Sequence, residues 1–312
     1  MITLIDLSNL IWSTFYSSLK PNRMEAETCP QGYTGHVDFF HQKLVRILQD
    51  APCNEYIFAV DRKPTHKYSI FPDYKKTRGS SKIKFDPKPA IFEMLEQWKA
   101  NTIYAEHTEA DDAIASFIAN NIDLSYTVAT TDKDLWQLRE IPNVRIYNFH
   151  KAAYINDIDL KEAFDIEDYA HIKLVKTLWG DTSDNVPNVA PRLQKSLLPI
   201  IKQTDGTLTS FWKCVEQNKD QMNKKHLDVL EKNKNKIDVN YNLVKLNFDR
   251  TIVKELATKL EIKKEKVLEE IEKKIEKKIE EKTEKKDKVE STFKVDLNPF
   301  NELNLEDDDI PF

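Results

Sequence analysis

The sequence predicts an α/β fold built on a parallel twisted sheet flanked by helices, and three observations point to it. Short apolar runs recur at residues 2–5, 56–60 and 126–130. Segments with apolar residues three and four apart lie between them, the spacing of amphipathic helices. Each run delivers an aspartate at or just past its C-terminal end: Asp6, Asp61 and Asp132. In open parallel sheets that edge is where ligands bind.

The elements follow in order. The first run stops at Asp6 and leads into Leu7-Ser8-Asn9. Residues 36–49 set Val37, Phe40, Leu44, Ile47 and Leu48 on one helical face. The second run ends on Asp61. Residues 72–84 are of another kind, with five basic residues, the aromatic Tyr74 interleaved, and Gly79-Ser80-Ser81 suggesting mobility. A basic segment beside acids suits an anionic substrate that also needs metals. Helical spacing resumes over residues 90–98. Residues 111–119 read as a helix with Ile114, Phe117 and Ile118 on one face. The third strand, 126–130, leads to Asp132 and Asp134. Residues 144–147 suit a further strand and 168–178 a helix. Gly180-Asp181-Thr182-Ser183-Asp184-Asn185-Val186-Pro187 is a tight turn flanked by Asp181 and Asp184. Residues 189–201 read as a helix carrying Arg192 and Lys195, and 205–256 as mostly helical.

The acids carry the chemistry. Helix N-termini attract acids, which accounts for any one of Glu109, Asp111 and Asp112. It accounts neither for all three nor for Asp132 and Asp134. Glu109 and Asp112 stand three apart, so both can point the same way from a first helical turn. Clustered carboxylates raise each other's pKa unless cations neutralise them. A metal site is therefore expected where these acids meet.

Composition bounds the partners. The 312 residues carry a formal net charge of −5, which argues against a uniformly basic nucleic-acid coat but leaves room for a local basic groove. Cys29, Cys53 and Cys214 are widely spaced, with no CxxC, consistent with a reducing cytoplasm. There is no apolar run long enough for a membrane span. Residues 261–288 are almost entirely Glu and Lys, with a short apolar stripe, and suit a charged helical spacer. Residues 289–306 suit a flexible linker. The chain ends Glu306-Asp307-Asp308-Asp309-Ile310-Pro311-Phe312.

Six pieces, in order, resemble the flap endonuclease superfamily, most closely phage 5′-nucleases of the RNase H type and the 5′-nuclease domain of bacterial DNA polymerase I. They are Leu4-Ile5-Asp6, Ala59-Val60-Asp61, Asp73-Tyr74-Lys75-Lys76-Thr77-Arg78, Glu109-Ala110-Asp111-Asp112, Thr131-Asp132-Lys133-Asp134 and the Gly180 to Pro187 turn. The resemblance covers about the first 200 residues. It implies a PIN-like nuclease domain over residues 1–178, with a helical arch at about 66–100. It further implies a helix-turn-helix-like DNA-binding helical region over 179–258, then the spacer at 259–290 and the linker and tip at 291–312.

The resemblance also implies the site. Asp6, Asp61, Glu109, Asp111 and Asp112 would hold a first Mg²⁺, with Asp132, Asp134, Asp181 and Asp184 holding a second, Mn²⁺ being a substitute. Lys75 and Arg78 would act on the scissile phosphate. Tyr74 would stack on an unpaired base, and Lys76, Arg192 and Lys195 would contact DNA. The family's glycine-rich turn is replaced here by Asn188-Val189-Ala190-Pro191-Arg192-Leu193, which has no glycine. The implied activity is 5′-to-3′ exonuclease or flap cleavage by a monomer, on DNA or RNA–DNA hybrid. The alternatives are a non-catalytic adaptor for branched DNA and a PIN-type ribonuclease.

The last six residues resemble the tip of bacterial single-stranded DNA-binding proteins. That resemblance implies docking of Asp307, Asp308, Asp309, Ile310, Pro311 and Phe312 on host proteins that read this tip. Phe312 would enter an apolar pocket and the acids would face a basic rim.

Overall fold

The computed structural model describes residues 1–76 and 83–255. Arg78, the centre of the expected arch, the spacer, the linker and the tip lie outside the described residues. The elements run β1 (Ile2–Asp6), α1 (Leu7–Leu19), α2 (Gly35–Asp50), β2 (Glu55–Ala59), α3 (Thr65–Ile70), α4 (Lys88–Gln97), β3 (Asn101–Ala105), α5 (Ala110–Ala119), β4 (Tyr126–Ala129), β5 (Val144–Asn148) and β6 (Ala153–Tyr154). Then come α6 (Asp157–Phe164), α7 (Ile172–Trp179), α8 (Gln194–Ile201), α9 (Leu208–Gln217), α10 (Lys224–Lys232), α11 (Lys234–Val244) and β7 (Ile252–Glu255).

The strands form a seven-stranded sheet in the order β6-β5-β4-β1-β2-β3-β7. The five central strands are parallel, as expected, while β6 and β7 pair antiparallel at the two edges. Central strand β1 is buried along its whole length, which is why it reads as an unbroken apolar run. Leu4 sits in register with Ile57 on one side and Val128 on the other. The register brings the ends of β1, β2 and β4 side by side, and with them Asp6, Asp61 and Asp132.

Two central elements were not foreseen. Helix α1 starts at once after β1, with Asp6 as its cap and Leu7, Leu10, Ile11 and Phe15 buried at helical spacing. Asp6 thus ends a strand and starts a helix. β3 is five residues long with mixed polarity, Asn-Thr-Ile-Tyr-Ala, and gave no alternation to read. The helix expected over 189–201 is present only as α8. Arg192 before it has φ of 63°, which no helix accommodates, and Pro191 precedes it.

The C-terminal helices share the core of the sheet. Leu193, Leu197, Phe211, Leu230 and Ile237 belong to the same buried cluster as Leu4, Trp136 and Leu178. Segment 245–255 then returns to the sheet edge as β7. It is held to α5 by the Asn247 amide donating to Asp112 Oδ1 at 2.9 Å and the Arg250 amide donating to Ser116 Oγ at 3.0 Å.

Candidate active site

At the C-terminal edge of the sheet lies an open pocket of about 670 Å³. Asp6, Asp61, Glu109, Asp111 and Asp132 line its acidic walls, and Lys75 reaches into it. Trp12, Tyr16 and Lys88 stand at the same pocket.

Each acid is placed by its element. Asp6 Oδ1 accepts from the Asn9 amide at 3.2 Å, and its Oδ2 from Thr130 Oγ1 at 3.1 Å. Asp61 Oδ1 accepts from the Ala110 amide at 2.7 Å, tying the end of β2 to the first turn of α5. Asp132 Oδ1 accepts from the Asp134 amide at 2.9 Å. Burial pushes the Asp6 carboxyl well above the usual carboxylate range, and the neighbouring Asp61 and Asp132 push it further. This is the like-charge crowding that a cation relieves.

A second group surrounds Lys67, a lysine 3% exposed. Its Nζ lies 2.9 Å from Glu109, 3.6 Å from Asp111 and 3.8 Å from Asp112. Lys75 also pairs with Glu109 and lies 3.6 Å from Asp184. Burial alone would raise the Glu109 carboxyl, but Lys67 and Lys75 together hold it down at about 2. Asp111 goes the other way. Burial lifts it to about 7, helped by Asp112 and Glu109 and opposed by Lys67. Lys75 is held in the left-handed region, φ 54°, by its amide donating to the Asp184 carbonyl at 2.9 Å. Such strain in a non-glycine residue marks positions that the surroundings over-determine.

The third group centres on Lys176 of α7, which pairs with Asp134 and, at 2.8 Å, with Asp181. Burial would raise Asp181, but Lys176 and Ser183 bring it down to about 2. The turn that carries Asp181 closes through paired backbone hydrogen bonds with Val186, at 3.0 and 2.8 Å. Gly180 makes this closure possible. Its φ is 73°, and a Cβ there would stand 2.4 Å from the Val186 carbonyl oxygen.

The acids of the two expected groups lie as follows. Asp132 joins Asp6 and Asp61 in the pocket. Asp184 joins Glu109 through Tyr74 and Lys75. Asp134 and Asp181 share Lys176. Asp112 is fully buried, and its oxygens accept from Thr108 Oγ1 and the Asn247 amide, both at 2.9 Å. It fastens β7 to α5 rather than facing the pocket. Among the described residues no three His, Cys, Asp or Glu side chains are already gathered as a metal-binding group. The all-oxygen donor set on the pocket walls nevertheless fits hydrated Mg²⁺ or Mn²⁺, which keep several waters and take few direct protein ligands.

Tyr74 is corrected. Its ring is 2% exposed, and its hydroxyl donates to Glu109 at 2.8 Å and Asp184 at 3.0 Å. Burial and the two carboxylates push the phenol up. No face is left for a base. Trp12 and Tyr16, one turn apart on α1 with ring centroids 6.1 Å apart, are the aromatic groups at the pocket. Their i, i+4 spacing was visible but went unread because α1 was not recognised. Lys67 and Lys176 were also missed, since nothing in sequence separates a lysine that sits among acids from a solvated one. Lys76 is exposed and pairs with Asp73 at 2.9 Å.

The glycine-free turn turns its amides inward. The Val189 and Ala190 amides donate to the Leu178 carbonyl at 3.0 and 3.1 Å. Arg192 and Lys195 are exposed beyond it. The three cysteines are free. No helix among the described residues is long and apolar enough to cross a membrane.

Known proteins are similar to this chain in sequence or in fold. DNA polymerase I of Lactococcus lactis subsp. lactis is 28% identical over 238 residues, which are 72% of this chain and 26% of that protein. The chain thus spans about a quarter of the length of that relative. A 5'-3' exonuclease of Halalkalibacterium halodurans is 25% identical over 233 residues, covering 69% of this chain and 74% of that one. The bacteriophage T5 D15 flap endonuclease, in a complex with DNA and metal ions, shares the fold with a TM-score of 0.58 at 18% identity, covering 78% of this chain and 88% of that one. Residues 1–165, slightly more than half of the chain, match the 5'-3' exonuclease N-terminal resolvase-like domain, and the chain belongs to that family.

Proposed function

We propose that the protein is a divalent-metal-dependent 5′-to-3′ exonuclease and flap endonuclease, using Mg²⁺ and acting on DNA and on RNA primers annealed to DNA. The observation that carries this is the pocket where Asp6, Asp61, Glu109, Asp111 and Asp132 come together from four elements, with Lys75 in its wall.

Asp6, Asp61, Asp111 and Asp132 would hold the ions, with Glu109 kept ionised by its lysines. When bound, divalent cations supply charge neutralisation for the scissile phosphodiester and its leaving oxygen. Lys75 presents a fixed ammonium to a phosphate in the pocket and stabilises charge developing there. Arg78 belongs to the same basic segment and is proposed for the neighbouring phosphate. Trp12 and Tyr16 offer stacking faces for an unpaired base at the pocket mouth. Lys76, Arg192 and Lys195 are proposed as contacts to the DNA backbone.

The test uses a 5′-labelled flap duplex and a nicked RNA–DNA hybrid, each with and without Mg²⁺. Short 5′-terminal products that depend on Mg²⁺ support the reading. Binding without cleavage in Mg²⁺ leaves a non-catalytic branched-DNA adaptor.

We further propose that residues 307–312 dock on host proteins that read the single-stranded DNA-binding protein tip. The support is the identity of the last six residues with that tip. A peptide covering 301–312 should bind such a protein, and the same peptide without Phe312 should not. Equal binding by both defeats this docking.

A further inference from the structure

The acidic pocket has a neighbour of opposite charge on the same sheet edge. Ser13 lies four residues beyond Asn9 on α1, so the two share a helix face. Asn9 lines the acidic pocket, and its Oδ1 accepts from the Thr131 amide, past the end of β4, at 2.9 Å. Ser13 Oγ meets His150 Nε2 at 2.5 Å. His150 follows β5, the strand beside β4. From α2, Lys43 Nζ donates to the Phe149 carbonyl at 3.1 Å. Lys20 stands at the C-terminal end of α1. Burial first, then Lys43 and Lys20, depress the His150 imidazole, so a neutral ring lies beside two ammonium groups.

Several other lysines are already paired. Lys67, Lys75, Lys173 and Lys176 each sit on a carboxylate. Among the described residues, no carboxylate pairs with Lys20, Lys43 or His150. The nearby acids are committed elsewhere. Asp50 accepts from Arg46 at 2.5 Å and from Tyr147 at 2.6 Å, and Asp159 pairs with Lys151. Lys43 is half-buried, and burial together with Arg46 lowers its ammonium pKa. Lys20 and His150 are exposed and Lys43 is half-buried, so Lys43, held on the Phe149 carbonyl with no carboxylate beside it, gains most from an arriving anion.

We propose that Ser13, Lys20, Lys43 and His150 form a subsite for a backbone phosphodiester of the bound nucleic-acid strand, beside the acidic pocket. The proposal rests on the nuclease reading above. A hydroxyl, two ammonium groups and an imidazole offer donors that an anion with several oxygens can accept from together. Lys20 is eleven residues after Asn9, about 16 Å along a helix at 1.5 Å per residue. At 3.4 Å of duplex rise per phosphate, the contacted phosphates lie within roughly five nucleotides of the pocket. The two sites complement each other: the acidic pocket meets the reacting phosphate, and lysines with no carboxylate partner meet its neighbours.

The test measures binding of the full chain to a 5′-flap duplex in EDTA over a series of salt concentrations. The wild type is compared with the Lys20→Ala/Lys43→Ala double variant and with Lys43→Arg. The duplexes carry single neutral methylphosphonates at each of the five positions on either side of the flap junction. The double variant should bind about tenfold more weakly, with a salt slope smaller by about 2. One or two methylphosphonates should weaken the wild type and leave the double variant indifferent. Lys43→Arg should keep the wild-type slope. Equal sensitivity of wild type and double variant at every position overturns the subsite, as does an unchanged slope. Cleavage of the unmodified flap by the wild type in Mg²⁺ is followed in parallel. Absence of that cleavage defeats the nuclease reading; cleavage without positional coupling defeats only the subsite.

Discussion

Lys67 Nζ lies 2.9 Å from Glu109 Oε2, with the two side chains 4% and 10% exposed. A lysine from α3 is thereby sunk among the acids that open α5. Removing one partner of such a buried pair leaves an uncompensated charge. Lys67→Met should lower unfolding stability by about 3–5 kcal/mol at neutral pH. Urea denaturation of both proteins in EDTA measures it, and a loss under 1 kcal/mol would show that the acids do not depend on Lys67.

The same pair sets a pH profile. Glu109 is held at about 2 in the folded chain against an ordinary 4.5. Its contribution is present above 4.5 and is lost as pH falls towards 2. Asp111 is raised to about 7 from 3.8, so its cost is full above 7 and is relieved as pH falls through that window. Asp6, also raised, adds to the relief. Stability in EDTA should rise from pH 8 towards about 5 and fall below about 4. Chemical denaturation across this range checks it, and a monotonic rise with pH contradicts it.

Crowded Asp6, Asp61 and Asp132 predict a response to divalent ions. Mg²⁺ or Mn²⁺ should raise the Tm of the wild type at pH 8, by ligand linkage. Asp132→Asn should raise the Tm in EDTA, blunt the Mg²⁺ response and reduce flap cleavage at least 100-fold while DNA binding persists. Wild-type-like turnover by Asp132→Asn in Mg²⁺ would remove the pocket from the chemistry.

Tyr74 and Trp12 should separate stability from substrate binding. Tyr74→Phe removes a hydroxyl that serves two carboxylates and should cost about 1–3 kcal/mol of stability. Trp12→Ala should weaken binding of flaps with an unpaired base by about 1–3 kcal/mol, and less so for fully paired duplex. Thermal melts and anisotropy titrations of both variants distinguish them. A flap-specific affinity loss for Tyr74→Phe with unchanged stability would restore the stacking role to Tyr74.

Gly180→Ala should disrupt the turn that carries Asp181. At φ 73° with a Cβ 2.4 Å from the Val186 carbonyl, no side chain fits without backbone movement. A stability loss above about 1 kcal/mol is expected, read by thermal melts. A neutral result would show that the loop relaxes.

Much of this was legible beforehand because strand ends are local. The runs ending at Asp6, Asp61 and Asp132 are apolar and short, and a parallel sheet places such ends on one edge. Helix α5 was equally plain from Ile114, Phe117 and Ile118. Helix α1 was missed because Asp6 was read only as a ligand, although the same carboxylate accepts from the Asn9 amide as a cap. β7 escaped because an edge strand pairing antiparallel with β3, about 150 residues away, has no local signature.

The sequence alone determined the fold class and placed several acids at strand ends and a helix start, since both follow from periodicity and residue type along neighbouring positions. Only the tertiary structure decided which acids share a pocket and which carry a lysine. It moved Asp112 into a clasp on β7, Tyr74 into the interior and Trp12 to the pocket mouth. Side-chain partners are fixed by strand order and by helices returning from far along the chain. A carboxylate's role depends on the nearest charge in space, which spacing along the chain does not encode.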